Sequence, residues 1–171
     1  AMREPLLLAK QCATLDFLSN GRLLPGFGIG SPRGPEWGAM HLDSKTRGRV
    51  TDEALEIIAR LWAGEKLTYE GRHFKLTEAS IAPLPVQPDL PMWIGGSSDA
   101  AIRRTAKYGT GWQSGAETPE TVGKVIAGIK EAVLAEGRHI DEDHYGAALA
   151  YRFGTWDDPG MPKLAAAYEA R

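Results

Sequence analysis

Four consecutive small residues, Gly95-Gly96-Ser97-Ser98, have the composition of a turn that binds phosphate. Glycines leave backbone N–H groups open to a ligand, serine hydroxyls add donors, and the helix predicted after the turn has a partly positive N-terminus. A purely structural interpretation also exists, in which the glycines permit a tight connection and a serine caps the helix. Taken alone, these residue types favour the structural interpretation, because such turns are common in α/β folds.

A second glycine segment, Gly26-Phe27-Gly28-Ile29-Gly30, follows a predicted strand. Its spacing differs from the dinucleotide-binding fingerprint, and Pro32 and Pro35 follow it where that fingerprint requires a helix. Glycines at the C-terminal end of a strand would let a planar ring or a substrate approach the backbone closely. Gly28 and Gly30 therefore have two equally favoured interpretations, a ligand contact or a crowded corner of the fold.

Other reactive side chains show no pattern of a known catalytic or metal site. The histidines lack a repeated ligand spacing, so the sequence predicts no metal centre. We interpret Asp141-Glu142-Asp143-His144 as a solvated charged loop rather than a chelating site. No Ser-His-Asp or Cys-His arrangement can be placed from the sequence, and no catalytic side chain is assigned.

The elements that would position the two glycine segments alternate between strand and helix. Apolar periodicity and capping residues predict helices over residues 4–18, 52–62, 98–109, 118–137 and 163–171, with Thr51 as the cap of the second. Strands are predicted over residues 22–29, 92–94 and 145–153, with a hairpin around Glu70-Gly71-Arg72, a loop over 31–38 and a proline-rich connection over 83–91. This order predicts an α/β fold with parallel strands.

Length and composition narrow the class of protein. A chain of 171 residues with 43% apolar residues predicts one domain with a real core. The net charge of −2 supplies no general field for nucleic acid or an anionic membrane, which favours a neutral or locally recognised ligand. The single Cys12 cannot form an internal disulfide. Because no apolar run approaches about 20 residues and no signal-peptide pattern is present, we expect a cytoplasmic protein.

A series of short motifs follows a fixed order along residues 3–154. They are Arg3-Glu4-Pro5-Leu6, Leu18-Ser19-Asn20-Gly21-Arg22, Tyr69-Glu70-Gly71-Arg72, Pro91-Met92-Trp93-Ile94-Gly95-Gly96 and Tyr108-Gly109-Thr110-Gly111-Trp112. In this order they resemble the bacterial luciferase-like family of flavin- and deazaflavin-dependent oxidoreductases. Residues 140–146 are similar to members that use the deazaflavin coenzyme F420, with FMN as the alternative.

The resemblance implies a TIM (β/α)8-barrel fold, with the cofactor ring at the C-terminal ends of the strands. The cofactor would perform the hydride or oxygen chemistry, and the protein would supply position and electrostatics. It implies that the phosphate is held by Gly95, Gly96, Ser97 and Ser98, with Trp112 packing beside this loop. Gly28 and Gly30 would lie near the ring. The resemblance thus reverses the balance of interpretations at the phosphate turn.

The chain departs from the family pattern at two residues and in size. Pro25 falls inside the presumed strand, and Thr110 replaces the aspartate of the Tyr-Gly-Asp-Gly-Trp version. A complete barrel needs about 250 residues, and the chain begins at what resembles the helix after the third strand. Ala1-Met2 would be either a tag remnant or the start of a piece cut within a domain.

We therefore expect a single, incomplete barrel domain over residues 1–171. A partial barrel exposes strand edges and apolar surface, which predicts a homo-oligomer. The expected function is a flavin- or F420-dependent oxidoreductase, by monooxygenation or hydride transfer on a small organic substrate, or its cofactor-binding fragment. The alternative is a non-catalytic partial barrel that acts as a self-associating or binding module.

Overall fold

Helices alternate with short parallel strands in a computed structural model that describes residues 1–115 and 117–148. The helices are α1 (Pro5–Ser19), α2 (Glu36–Ala39), α3 (Arg47–Trp62), α4 (Asp99–Tyr108) and α5 (Pro119–Ala135). The strands are β1 (Gly26–Phe27), β2 (Leu67–Glu70), β3 (Lys75–Ala79), β4 (Trp93–Gly95), β5 (Gly111–Gln113) and β6 (Tyr145–Gly146).

Four of the strands form a parallel sheet in the order β1-β4-β5-β6, and β2 and β3 form a separate antiparallel hairpin. In the parallel sheet Phe27 is paired with Ile94, Gly95 with Gln113, and Gln113 with Gly146. The strand ends are thus in register, so the segments that follow β1, β4, β5 and β6 emerge along one edge of the sheet. This is the edge at which α/β proteins place their ligands.

Two apolar clusters cover this sheet. One joins α1, α3, the hairpin and β4, and its most buried members are Ala9, Ala13, Leu55, Ile57, Ile58, Leu61, Leu67 and Ile94. The other joins α4, α5 and β5 around Trp112, with Val125, Ile129 and Val133 from α5. The second cluster uses the apolar stripe that the sequence predicts for α5, and it holds the indole of Trp112 with no exposed surface.

Helices α1 and α5 begin or end at capping residues that are adjacent to them in the sequence. The Glu4 carboxylate accepts hydrogen bonds from the backbone N–H groups of Leu6 and Leu7, and α1 ends at Asn20, whose φ of 54° lies in the left-handed region. Thr118 caps α5 by accepting from Thr121 N, and Pro119 occupies the first helical position. Both helices agree with the sequence-based prediction within one or two residues.

Three sequence-based assignments are wrong in their bounds. Helix α3 begins at Arg47 because a 3-10 turn over Ser44–Thr46, capped by the Asp43 carboxylate, leads directly into it. Thr51 is therefore a buried residue inside α3 and caps nothing. The predicted loop over residues 31–38 runs into the short helix α2, and the strand predicted over 22–29 is limited to Gly26–Phe27.

The C-terminal assignments are only partly covered by the structure. Of the strand predicted over residues 145–153, Tyr145–Gly146 forms β6 and residues 147–148 are not in a strand. Residues 149–153 and the helix predicted over 163–171 lie outside the described residues. Within the described part of the chain, no helix combines the length and apolar character needed to cross a membrane.

Two carboxylates, the buried Asp16 and the half-buried Glu53, fix long-range connections. Asp16 accepts hydrogen bonds from Val86 N at 2.8 Å, Gln87 N at 3.0 Å and Gln87 Nε2 at 2.7 Å, which ties α1 to the segment that leads into β4. Glu53 accepts from the backbone N–H groups of Arg72, His73 and Phe74 and thereby closes the hairpin loop against α3. Burial acts to raise the pKa of each carboxyl, but these donors hold both pKa values below the ordinary range.

Two cationic side chains, the buried Arg104 and the half-buried Arg138, position α4, the helix that follows the glycine-serine turn. Arg104 donates to the Asp52 carboxylate at 2.6 Å and to Gly48 O at 3.1 Å, which anchors α4 to the start of α3. Arg138 donates to Ala106 O at 2.6 Å and to Gly109 O at 2.8 Å, where the helix leaves carbonyl groups without helical partners. Helix α4 is thus held at its middle and at its C-terminal end, with its N-terminus at the sheet edge.

Candidate functional site

The segment Gly95-Gly96-Ser97-Ser98 is a strand-to-helix turn at the C-terminal edge of the sheet. Gly95 ends β4, and Ser98 caps α4 with its hydroxyl oxygen, which accepts from Ala101 N at 3.3 Å. Gly96 has a φ of 109°, a conformation that residues with a side chain rarely adopt. The turn is partly accessible at Gly95, Gly96 and Ser97 and exposed at Ser98. Its backbone and hydroxyl groups are therefore within reach of a ligand.

Trp112 fixes the orientation of this turn. The indole N–H donates to Gly96 O at 2.8 Å, across the β4–β5 pair. This bond holds the Gly96 carbonyl oxygen against the buried indole ring. The family resemblance implies that Trp112 packs beside the loop, and the geometry adds a direct hydrogen bond. The indole acts on the turn through its backbone and has no exposed surface for a ligand.

Gly28 and Gly30 lie at the end of β1, next to the turn. A Cβ atom placed on Gly95 would be 3.7 Å from Phe27 O, so the peptide that joins Phe27 to Gly28 borders Gly95 directly. Gly28 is exposed and a Cβ on it would meet no atom within 4 Å, whereas Gly30 has a φ of 74° and lies near the Trp37 ring. Both line a cavity of about 330 Å³ that also reaches Leu8 and Cys12 of α1.

Cys12 is the thiol nearest to this edge. Burial raises the pKa of Cys12, with an opposing effect from Arg3, so the thiol is kept in its unreactive protonated form.

Pro25 lies one residue before β1, and its carbonyl oxygen accepts from Trp93 N at 3.1 Å. The placement of Pro25 inside the strand is therefore wrong, because the strand starts after it.

A carboxylate that the sequence analysis did not single out lies against the turn. Glu117 follows β5, and its Oε1 accepts a hydrogen bond from the Ser97 hydroxyl. A Cβ on Gly115 would be 3.3 Å from Glu117 Oε2, so the carboxylate lies between the loops that follow β4 and β5. The signal that could have indicated this contact was the strand topology, because neighbouring parallel strands bring the loops that follow β4 and β5 together.

Ser114 closes the neighbouring end of the sheet. Its backbone N–H donates to Gly146 O at 2.9 Å, and its buried hydroxyl accepts from Ala148 N at 2.8 Å. Trp93 is half-buried beneath this edge, and its ring leaves no room for a Cβ atom on Gly111. Hydrogen bonds and packing thus connect the end of β5 to residues 146–148 and to β4.

Thr110, which replaces the family aspartate, has a structural contact. Its hydroxyl accepts from Met92 N at 2.8 Å, and its carbonyl oxygen lies 3.0 Å from His144 Nδ1.

The structure also brings potential ligand atoms of Asp141, Asp143 and His144 within 4.8 Å of one another. The two aspartates are exposed, and such acidic groups commonly occur without a metal, so the cluster alone does not support a metal site.

Comparison with known proteins places these features in a family. The profile of the luciferase-like monooxygenases matches residues 1–154. The chain belongs to this family. Uncharacterized proteins from Mycobacterium bovis and Mycobacterium tuberculosis are 34% identical to the luciferase-like chain over 130 residues, which is 75% of this chain and 44% of theirs.

Solved structures support the same fold. The crystal structure of monooxygenase RslO1 from Streptomyces bottropensis aligns with a TM-score of 0.78 and 24% identity over 99% of this chain and 51% of its own. An F420-dependent secondary alcohol dehydrogenase, solved with an F420-acetone adduct, aligns with a TM-score of 0.72 and 23% identity over 84% of this chain and 44% of its own.

The oxygenating constituent of 3,6-diketocamphane monooxygenase from Pseudomonas putida, solved with FMN, aligns with a TM-score of 0.68 and 18% identity over 85% of this chain and 44% of its own. The predicted fold class is confirmed, since this luciferase-like chain has the α/β architecture of a TIM (β/α)8 barrel and is incomplete relative to these proteins. It spans about half the length of the relatives that it matches.

Proposed function

We propose that this luciferase-like chain supplies the phosphate-binding side of a flavin- or deazaflavin-dependent oxidoreductase that acts on a small organic molecule. The observation that carries the proposal is the turn Gly95-Gly96-Ser97-Ser98, placed at the C-terminal edge of a parallel sheet and followed directly by α4. An anion at this position would face backbone N–H groups and the positive end of a helix.

The residues present fit a cofactor phosphate. The Trp112 indole N–H donates to the Gly96 carbonyl oxygen, so this acceptor is occupied. The turn therefore offers hydrogen-bond donors to a ligand. A Cβ on Gly95 would lie 3.7 Å from Phe27 O, and one on Gly96 would lie 3.4 Å from Ala101 Cβ, so a side chain at either position would cover backbone that glycine leaves accessible. Gly28 and Gly30, at the neighbouring strand end, would border the ring.

Two cofactors remain as candidates, F420 and FMN. Structural neighbours solved with F420 and with FMN both support the choice of this class. When bound, either ring would supply the redox chemistry, while the protein orients the ring and excludes water. The substrate would enter beside the C-terminal ends of the strands, where the loops of barrel enzymes select it. We place this activity in the cytoplasm, which agrees with a lone buried cysteine.

Fluorescence titration of the full chain with FMN and with F420 tests the proposal. We expect at least one of them to bind about tenfold or more tightly than the corresponding ring system without phosphate, since charge-assisted hydrogen bonds contribute about 1.5–3 kcal/mol each. If neither binds, the oxidoreductase proposal fails and the non-catalytic binding module becomes the better account.

We also propose that the chain self-associates. Helix α1 and the segment after it expose large apolar side chains, with Leu18 74% exposed, Phe17 57% and Leu24 57%. The first strand of the sheet, β1, pairs with β4 on one side only among the described residues. Exposed apolar surface and an open strand edge favour association. Multi-angle light scattering should give a mass of two or more chains, and a well-folded monomer at micromolar concentration would contradict this.

A further inference from the structure

The Glu117 carboxylate borders the proposed phosphate site on the side of the loop that follows β5. Its Oε1 accepts the Ser97 hydroxyl hydrogen bond, and its Oε2 is buried without a hydrogen-bond partner among residues 1–115 and 117–148. The Ser97 proton is therefore directed toward Glu117 and away from an incoming ligand. A carboxylate with one satisfied and one unsatisfied buried oxygen is an unusual neighbour for a site that would bind an anion.

The surrounding charges do not compensate for this carboxylate. The first turn of α4 contains Asp99 and no basic residue. Three basic residues lie further along α4, and all are directed to other neighbours: Arg104 is paired with Asp52 at 2.6 Å, Lys107 lies 5.0 Å from the centre of the Tyr108 ring, and Arg103 lines a surface cavity with Glu53 and Glu56 of α3. The positive potential at the turn thus comes from backbone N–H groups and the helix end, which is equivalent to about half an elementary charge.

Such a site discriminates between phosphate groups by charge. A phosphomonoester carries about two negative charges at neutral pH because its second pKa is about 6. A phosphodiester has no second ionisable hydroxyl and carries one. Every negative charge on the ligand is attracted by the half charge of the helix end and repelled by the full charge of Glu117, so the net electrostatic cost doubles from a monoanion to a dianion, whereas the backbone N–H hydrogen bonds are available to both.

We infer that Glu117 is a specificity-determining residue that makes the turn select a phosphodiester monoanion over a phosphomonoester dianion. The inference rests on the proposed function of the turn and narrows it. FMN is a phosphomonoester, whereas F420 carries its phosphate as a diester. The Ser97–Glu117 contact therefore favours binding of F420 over FMN. The selected feature is the phosphodiester and not the ring.

Three probes with one ring test this charge selection on the full chain: riboflavin, FMN, and the methyl phosphodiester of FMN. They differ only in phosphate charge, and ring fluorescence reports binding of each at pH 8. We expect the methyl diester to bind at least tenfold more tightly than FMN, and Glu117→Gln to bring the two affinities within about threefold by strengthening FMN binding. Tenfold corresponds to about 1.4 kcal/mol.

Glu120→Gln is the matched control, because Glu120 is an exposed residue in the first turn of α5, close to Glu117 in sequence, and forms no hydrogen bond with Ser97 in the described structure. This variant should retain the preference of the unmodified chain. Equal binding of FMN and its diester, both tighter than riboflavin, would overturn the role of Glu117 and leave the phosphate turn intact. If neither phosphate compound binds more tightly than riboflavin, the phosphate turn and the role of Glu117 both fail.

Discussion

Asp16→Ala is expected to lower the free energy of unfolding by about 3 kcal/mol, because it removes a buried carboxylate and leaves three partly buried donor groups without their acceptor. The Asp16 side chain has no exposed surface and accepts three hydrogen bonds from Val86 and Gln87. These bonds fix the chain just before β4, the strand that ends in the phosphate turn. Urea unfolding followed by circular dichroism measures the change. Asp89→Ala, at an exposed aspartate of the same connection, should change stability by less than about 0.5 kcal/mol.

The same carboxylate should make stability depend on acid. The folded-state pKa of Asp16 lies below the ordinary value, although burial opposes this, because Gln87 and Val86 donate to the ionised form. Its contribution is therefore fully present above about pH 4, the ordinary aspartate value, and is lost as the pH falls through the folded-state pKa. Asp16→Asn should remove this part of the acid dependence. An unchanged slope between about pH 4 and pH 2 would contradict the assignment.

Local signals in the sequence predicted the helices whose ends depend on neighbouring residues. Thr118 and Pro119 start α5 because a hydroxyl cap and a fixed φ act within one turn. Asn20 ends α1 for a similar reason, since it adopts a left-handed conformation that few residues accept. Thr51 looked equally suitable as a cap but is buried within α3, because the 3-10 turn before Arg47 supplies the helix start instead.

Contacts between distant segments were beyond this kind of prediction. Gly95-Gly96-Ser97-Ser98 was found because its composition is unusual within four residues, and the family resemblance gave that composition a meaning. Glu117 lies 20 residues away in sequence and reaches Ser97 only because β4 and β5 pair in parallel. Asp16 and Gln87 are 71 residues apart, and nothing in either local sequence indicates their hydrogen bond. The turn was therefore predictable, whereas its charge environment was not.

Gly96→Val is expected to weaken cofactor binding by at least 100-fold. A side chain on Gly96 would project beside Ala101 Cβ, 3.4 Å away, at the face where the phosphate would approach the backbone. It would also force a φ of 109° on a β-branched residue, or shift the turn and its hydrogen bond to Trp112. Titration with FMN and F420 measures the loss. Because the strain costs about 1–3 kcal/mol, a fall in stability accompanies the loss of binding and needs its own control.

Gly137→Val separates these two effects. Gly137 has a φ of 67° and follows the C-terminal end of α5, and a Cβ on it would meet no atom within 4 Å, so valine there meets backbone strain in open space. Both variants should lose similar stability in urea unfolding, but Gly137→Val should keep the cofactor affinity of the unmodified chain. Equal affinities for Gly96→Val and Gly137→Val would mean that the turn does not approach the phosphate. A selective loss at Gly96 supports a ligand site at the turn itself, since backbone strain alone is common to both variants.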